Sequence, residues 1–169
     1  MTSAKIASSR TSGDLIALDN AMKLAWWIWL GLLAAPFAVF FVAIWRILGG
    51  GGAAADPVAA QRWFVATMLC LVIVVPSALF FRSHLFKPYW SGHVVPPGRY
   101  LAGMTAVWAS LAIAGLSAAL ACLLTRTLVP NILPALLALL LFECHWPNGH
   151  AMSRPLHNER DPAEYEDPR

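Results

Sequence analysis

The sequence predicts an all-α membrane protein, a four-transmembrane-helix bundle with both termini inside, and three observations carry that expectation. Four stretches without a charged side chain, residues 24–45, 63–81, 100–125 and 127–142, stand out along the chain. Each approaches the roughly 20 residues that a helix rising about 1.5 Å per residue needs to cross about 30 Å of hydrocarbon. The composition, 59% hydrophobic and only 12% charged with a mean hydropathy of +0.61, lies far from the soluble balance of about a quarter charged. Finally, the basic residues fall mostly on one side of the spans. With the N-terminus inside, Lys5, Arg10, Lys23, Arg82, Lys87, Arg99, Arg154, Arg160 and Arg169 face the cytoplasm, and only Arg46, Arg62 and Arg126 are translocated.

The expected organisation is a cytoplasmic tail over residues 1–22, a transmembrane domain over 23–145 with spans at about 24–46, 62–82, 100–124 and 127–143, and a cytoplasmic tail over 146–169. Residues 14–22 read as a short amphipathic lead-in with Leu15 and Leu18 on one side. The first apolar run follows a polar segment and exceeds the roughly 7 to 15 residues of a signal-peptide core, so no cleavable signal is expected. Trp26, Trp27, Trp29, Trp45, Trp63, Tyr89, Trp90, Tyr100 and Trp146 cluster near span ends, as expected of rings with an apolar body and a polar edge.

Between the first two spans, residues 49–52 are glycines followed by three alanines, a flexible connector with little to recognise a ligand. Asp56-Pro57 supplies a cap and a first helical residue for the second span. Residues 82–99 mix Leu85, Phe86, Tyr89 and Trp90 with Arg82, Lys87 and Arg99, a composition suited to the headgroup layer and to anionic lipid, or to a partner surface. Span three carries a small residue at every fourth position, Ala102, Ala106, Ser110, Ala114, Ala118 and Cys122. Lipid is as apolar as leucine, so helices in a membrane associate by close packing, and this stripe predicts a central helix. The connection around Arg126 is short enough to fold spans three and four into a hairpin, with Pro130 and Pro134 in the first turns of span four.

The four apolar stretches, 24–45, 63–81, 100–125 and 127–142, hold no Asp, Glu, Lys, Arg or His, which argues against a proton or ion pump built from this chain alone. No dense basic run suggests nucleic acid, and no GxSxG elbow, HExxH, phosphate-binding loop or dinucleotide fingerprint occurs. The three cysteines, Cys70, Cys122 and Cys144, show no disulfide or CxxC spacing.

All five histidines fall on the expected cytoplasmic side: His84 and His93 after span two, and His145, His150 and His157 after span four. Pro147-Asn148-Gly149 suits a type I turn that brings His145 and His150 together. A metal site, if the chain has one, is therefore expected at His145 and His150, with Cys144, His84 and His93 as further ligands for zinc, copper or haem iron. No cofactor is required by the sequence. The charged tail over residues 158–169 cannot fold alone, and Tyr165 among acidic neighbours is its one candidate for partner binding.

By elimination, the expected function is an accessory, assembly or stabilising subunit of a larger complex in a bacterial-type plasma (inner) membrane. Its expected partners are lipid and other membrane subunits or copies of itself. The alternatives are a metal- or haem-handling protein with its site at the cytoplasmic face, and a small transporter completed by oligomerisation.

Overall fold

The computed structural model describes residues 12–49 and 56–153, with side chains from residue 16 onward. Expectations that fall on Gly50, Gly51 and Gly52, on Lys5, Arg10, Arg154, Arg160 and Arg169, and on His157 and Tyr165 lie outside the described residues. Six helices follow one another: α1 Ser12–Leu48, α2 Pro57–Leu85, α3 Lys87–Trp90, α4 Pro97–Thr125, α5 Ile132–Cys144 and α6 His150–Ser153. Every regular element among the described residues is helical.

Three of these helices, α1, α2 and α4, are long and apolar enough to cross a membrane. α1 has 37 residues and extends roughly 55 Å, because the expected lead-in is helical and continuous with the span. α2 and α4 have 29 residues each, roughly 44 Å. α2 starts as Asp56-Pro57 foretells: the Asp56 carboxylate accepts a hydrogen bond from the Ala59 N–H at 2.9 Å, and proline stands at the first turn where no intrahelical N–H is needed.

The fourth apolar stretch departs from expectation. α5 has 13 residues, roughly 20 Å, which is short of the about 30 Å a crossing helix must cover. The cause lies in residues 127–131, which form a turn instead of a first helical turn. Pro130 and Pro134 offer no N–H, and the Asn131 side chain donates to the Ala60 carbonyl at 3.3 Å on α2 instead of capping α5. The connection therefore returns alongside α4, with the Cys122 thiol 3.9 Å from the Leu128 carbonyl oxygen, and the α4–α5 hairpin forms with a shorter second arm.

α4 is the hub against which α1, α2 and α5 each make their main contacts. Along the small-residue stripe, Ala102 is exposed and Ala106 half-buried, while Ser110, Ala114, Ala118 and Cys122 are buried. Gly115 beside the stripe faces both α1 and α5. A Cβ placed there would lie 3.4 Å from the Pro36 Cβ of α1 and 3.6 Å from the Ala138 Cβ of α5. Pro36 and Pro76 sit inside α1 and α2 without ending them, as neighbouring helices in a membrane allow. The buried residues of the flanking helices are also mostly small or medium-sized: Ala21, Ala25 and Ala43 on α1, with Trp29 the one large exception, and Ala60, Thr67, Leu71 and Val75 on α2.

The four apolar helices run in alternating directions, so their ends gather into two faces. At one face the Asp56 N–H reaches the Thr125 carbonyl at 3.4 Å, and Asn131 ties α5 to α2. The other face is more elaborate. It holds the start of α1, the ends of α2 and α5, the start of α4 and both short helices, joined by a hydrogen bond from the Val95 N–H to the Ala151 carbonyl at 2.8 Å.

Candidate functional site

The elaborate face has a small core of its own. Phe86, Val95, Tyr100 and Met152 are each no more than 4% exposed, which fixes the α3 loop and α6 beneath the start of α4. Phe86 and Tyr100 stack with ring centroids 5.9 Å apart. Trp108, fully buried on α4, donates through Nε1 to the His145 carbonyl at 2.6 Å and so ties down the end of α5. On the α1 side, Trp29 packs on Phe142 at 5.6 Å and Trp26 on Trp146 at 6.5 Å. Of the tryptophans expected as interface anchors in α1, Trp27 projects outward at 74% exposed, whereas Trp29 is turned into the protein at 7%.

The turn before α6 does not close as its sequence suggests. The Gly149 N–H donates to the Tyr100 hydroxyl at 3.3 Å instead of returning to Trp146, and Gly149 adopts a left-handed φ of 66°. A Cβ there would lie 2.5 Å from the Met22 sulfur, so the loop is pressed against α1 at a point where only glycine fits without adjustment.

Between these elements lies a cavity of about 240 Å³. Its aromatic side is made by Phe86, Tyr89, Trp90, Tyr100 and Trp146, and its polar side by Arg82, Cys144, His145, Asn148 and His150. Arg82, in the last turn of α2, is the unusual member. Its guanidinium carbon lies 5.0 Å from the centre of the Phe86 ring, and its Nε is buried without a hydrogen-bond partner. The ion pair found among the described residues is Lys23 with Asp19 at 2.6 Å, exposed on α1, and it leaves Arg82 without a carboxylate.

The expected metal ligands are divided between two places. Cys144, His145 and His150 line the cavity, whereas His84 and His93 line a neighbouring hollow of about 540 Å³ with Lys87 and Arg99. One nitrogen of His145, Nδ1, is 2.8 Å from the Leu141 carbonyl, which leaves Nε2 as its remaining ligand atom. No group of three His, Cys, Asp or Glu side chains able to hold a metal ion comes together among the described residues. Cys70, Cys122 and Cys144 are free thiols, and Cys122 is buried in the α4 stripe.

Sequence reasoning treated Arg82 as a flanking charge and Tyr100 as an interface anchor, and it passed over Trp108 and Met22. The one available signal was the position of Arg82 directly after Phe80-Phe81 at a span end, where a long cationic side chain either reaches water or turns inward. Which of these happens depends on the α3 loop and α6, which are distant in sequence.

The fold and this face define a class: an all-helical protein with three helices long and apolar enough to cross a membrane, closed at one end by a small aromatic and basic cap. Comparison with protein-family models, curated proteins and solved structures finds no match to this chain.

Proposed function

We propose that the chain is a multi-pass protein of the plasma membrane, four-crossing with both termini in the cytoplasm, that serves as an accessory, assembly or stabilising subunit of a larger membrane complex. One observation carries the reading. In their most apolar windows α1 and α2 bury only 17% of residues inside the chain, against 61% for α4. The hub is saturated by its own neighbours, while two long helices present apolar faces outward, including Phe37, Phe41 and Trp45 on α1 and Val72, Ile73 and Phe80 on α2. Such faces suit lipid and the close helix contacts of a neighbouring subunit. The interior between them is filled by Val107, Trp108 and Leu111, each no more than 1% exposed, and forms a packed scaffold better than a conduit.

For the fourth crossing, α5 is completed by the irregular segments at its two ends, residues 127–131 and 145–149. Irregular backbone of this kind is tolerated at membrane depth where other helices cover it. Photo-crosslinking in native membranes tests the subunit reading, with a photoreactive side chain replacing Phe41 or Ile73 on the outward faces. A protein adduct of one defined mass, absent when the group replaces buried Ala114, is the expected result. Adducts with lipid alone at both outward positions reject it.

A further inference from the structure

The sharpest unresolved demand in this fold is the Arg82 guanidinium. It lines the cavity with Nε buried and unpartnered, and no hydrogen bond or ion pair to it is formed by the described residues. A cation that gives up part of its hydration with no anion beside it is left undercompensated, so a long side chain at a span end ordinarily extends its whole head into water. Here Arg82 is half-buried: its guanidinium lies over the Phe86 ring at the cavity wall, with Nε covered and no anion beside it.

The surroundings indicate the charge of the missing group. Of the acidic side chains described, Asp19 is paired with Lys23, Asp56 caps α2 at the opposite face, and Glu143 is exposed on the last turn of α5 without pairing to Arg82. Around the neighbouring hollow stand His84, His93 and the cations Lys87 and Arg99, with no acidic side chain in its lining. Tyr100 accepts the Gly149 N–H, which leaves its own O–H to donate into the cavity.

Size and position indicate the kind of molecule. About 240 Å³ is below the roughly 300 to 1,000 Å³ of pockets that enclose a whole drug-sized ligand, and it suits a compact headgroup whose tails remain outside. Trp90 and Trp146 line the cavity and are also exposed, apolar surface on which acyl chains can lie. Basic pockets between helix ends at a membrane surface are suited to phosphate-bearing headgroups.

We propose that this cavity is a binding site for the phosphate of an anionic phospholipid, held by Arg82 with the Tyr100 hydroxyl as a second donor, and with Lys87 and Arg99 drawing the headgroup toward the face. The planar guanidinium fork matches a phosphate's oxygens with paired charge-assisted hydrogen bonds. The site rests on the chain being membrane-embedded and is independent of whether it serves as a subunit.

The test uses the purified full-length protein in detergent, with bound phosphatidylglycerol and the phosphate-free lipid diacylglycerol counted by native mass spectrometry. The expected preference for phosphatidylglycerol is roughly tenfold or more, the size of one charge-assisted hydrogen bond. Arg82→Gln abolishes that preference while helicity is retained, Arg82→Lys keeps part of it, and Tyr100→Phe weakens it by roughly threefold, as loss of a neutral hydrogen bond does. Lys87→Gln, outside the cavity, lowers it by less than Arg82→Gln. If Arg82→Gln does not fold, the Arg82→Lys and Tyr100→Phe losses decide the matter. Equal binding of the two lipids overturns the proposal, as does a full preference surviving in Arg82→Gln or in both conservative variants. Loss as large in Lys87→Gln overturns it in favour of diffuse surface attraction, and displacement of the lipid by millimolar inorganic phosphate overturns the lipid as the source of the anion.

Discussion

Gly149 shows how much one residue can decide at this end of the molecule. Its φ of 66° and the 2.5 Å gap that a Cβ would leave to the Met22 sulfur mean that Gly149→Ala carries backbone strain and must move a side chain of α1. A loss of about 1 to 3 kcal/mol is expected, read as a lower melting temperature, together with a changed environment for Trp146 in tryptophan fluorescence. Asp56 is a simpler case. Its carboxylate satisfies the Ala59 N–H, and Asp56→Ala is expected to cost about 1 kcal/mol, whereas Asp56→Ser, which preserves a cap, costs less in the same melting experiment. The cap was legible in Asp56-Pro57 because capping is local chemistry. By contrast, the partner of the Gly149 N–H is Tyr100, 49 positions away, and a turn motif carries no information about a hydroxyl at that separation. For the same reason the sequence named five metal-ligand candidates on one face, yet it could not divide them between a cavity and a separate hollow.

At the scale of single helices, hydropathy foretold more than at any other. Runs of apolar residues leave their backbone groups no better partner than their own helix, so the apolar spans within α1, α2 and α4 were legible, though not the polar turns that extend the helices beyond them. α5 was not, because residues 127–131 continue the uncharged run without a break, and the amide of Asn131 chooses a carbonyl on α2 over its own helix. The small-residue stripe of α4 identified the hub because close packing requires small side chains wherever two backbones approach. Ala114 is fully buried and Ile113 is 57% exposed, so the two adjacent positions provide a direct contrast. Ala114→Leu is expected to destabilise the protein by about 1 to 3 kcal/mol through overpacking. Ile113→Ala should stay within about 0.5 kcal/mol. Gly115→Val should behave as Ala114→Leu does, since its added carbons meet Pro36 and Ala138. Thermal unfolding in one detergent compares all three, and equal melting temperatures for Ala114→Leu and Ile113→Ala would reject the packing described.

For the whole molecule, alternation of helix direction places the α2 end, the α4 start and α6 at one face. If the proposed topology holds, that basic and aromatic face lies in the cytoplasm, where the excess of Lys and Arg is retained and where an anionic leaflet meets Arg82, Lys87 and Arg99. The outward faces of α1 and α2 are then free within the bilayer for a neighbouring subunit. The cytoplasmic setting of that face depends on this placement. The most direct measurement is labelling with a membrane-impermeant maleimide on intact cells, after Cys70, Cys122 and Cys144 are replaced by serine or alanine. Gly51→Cys, between α1 and α2, is expected to react in intact cells. Ser91→Cys, exposed after α3, is expected to react only once the membrane is permeabilised. Labelling of Ser91→Cys in intact cells would contradict the account, and labelling of both positions without permeabilisation would contradict the crossing of α2 itself.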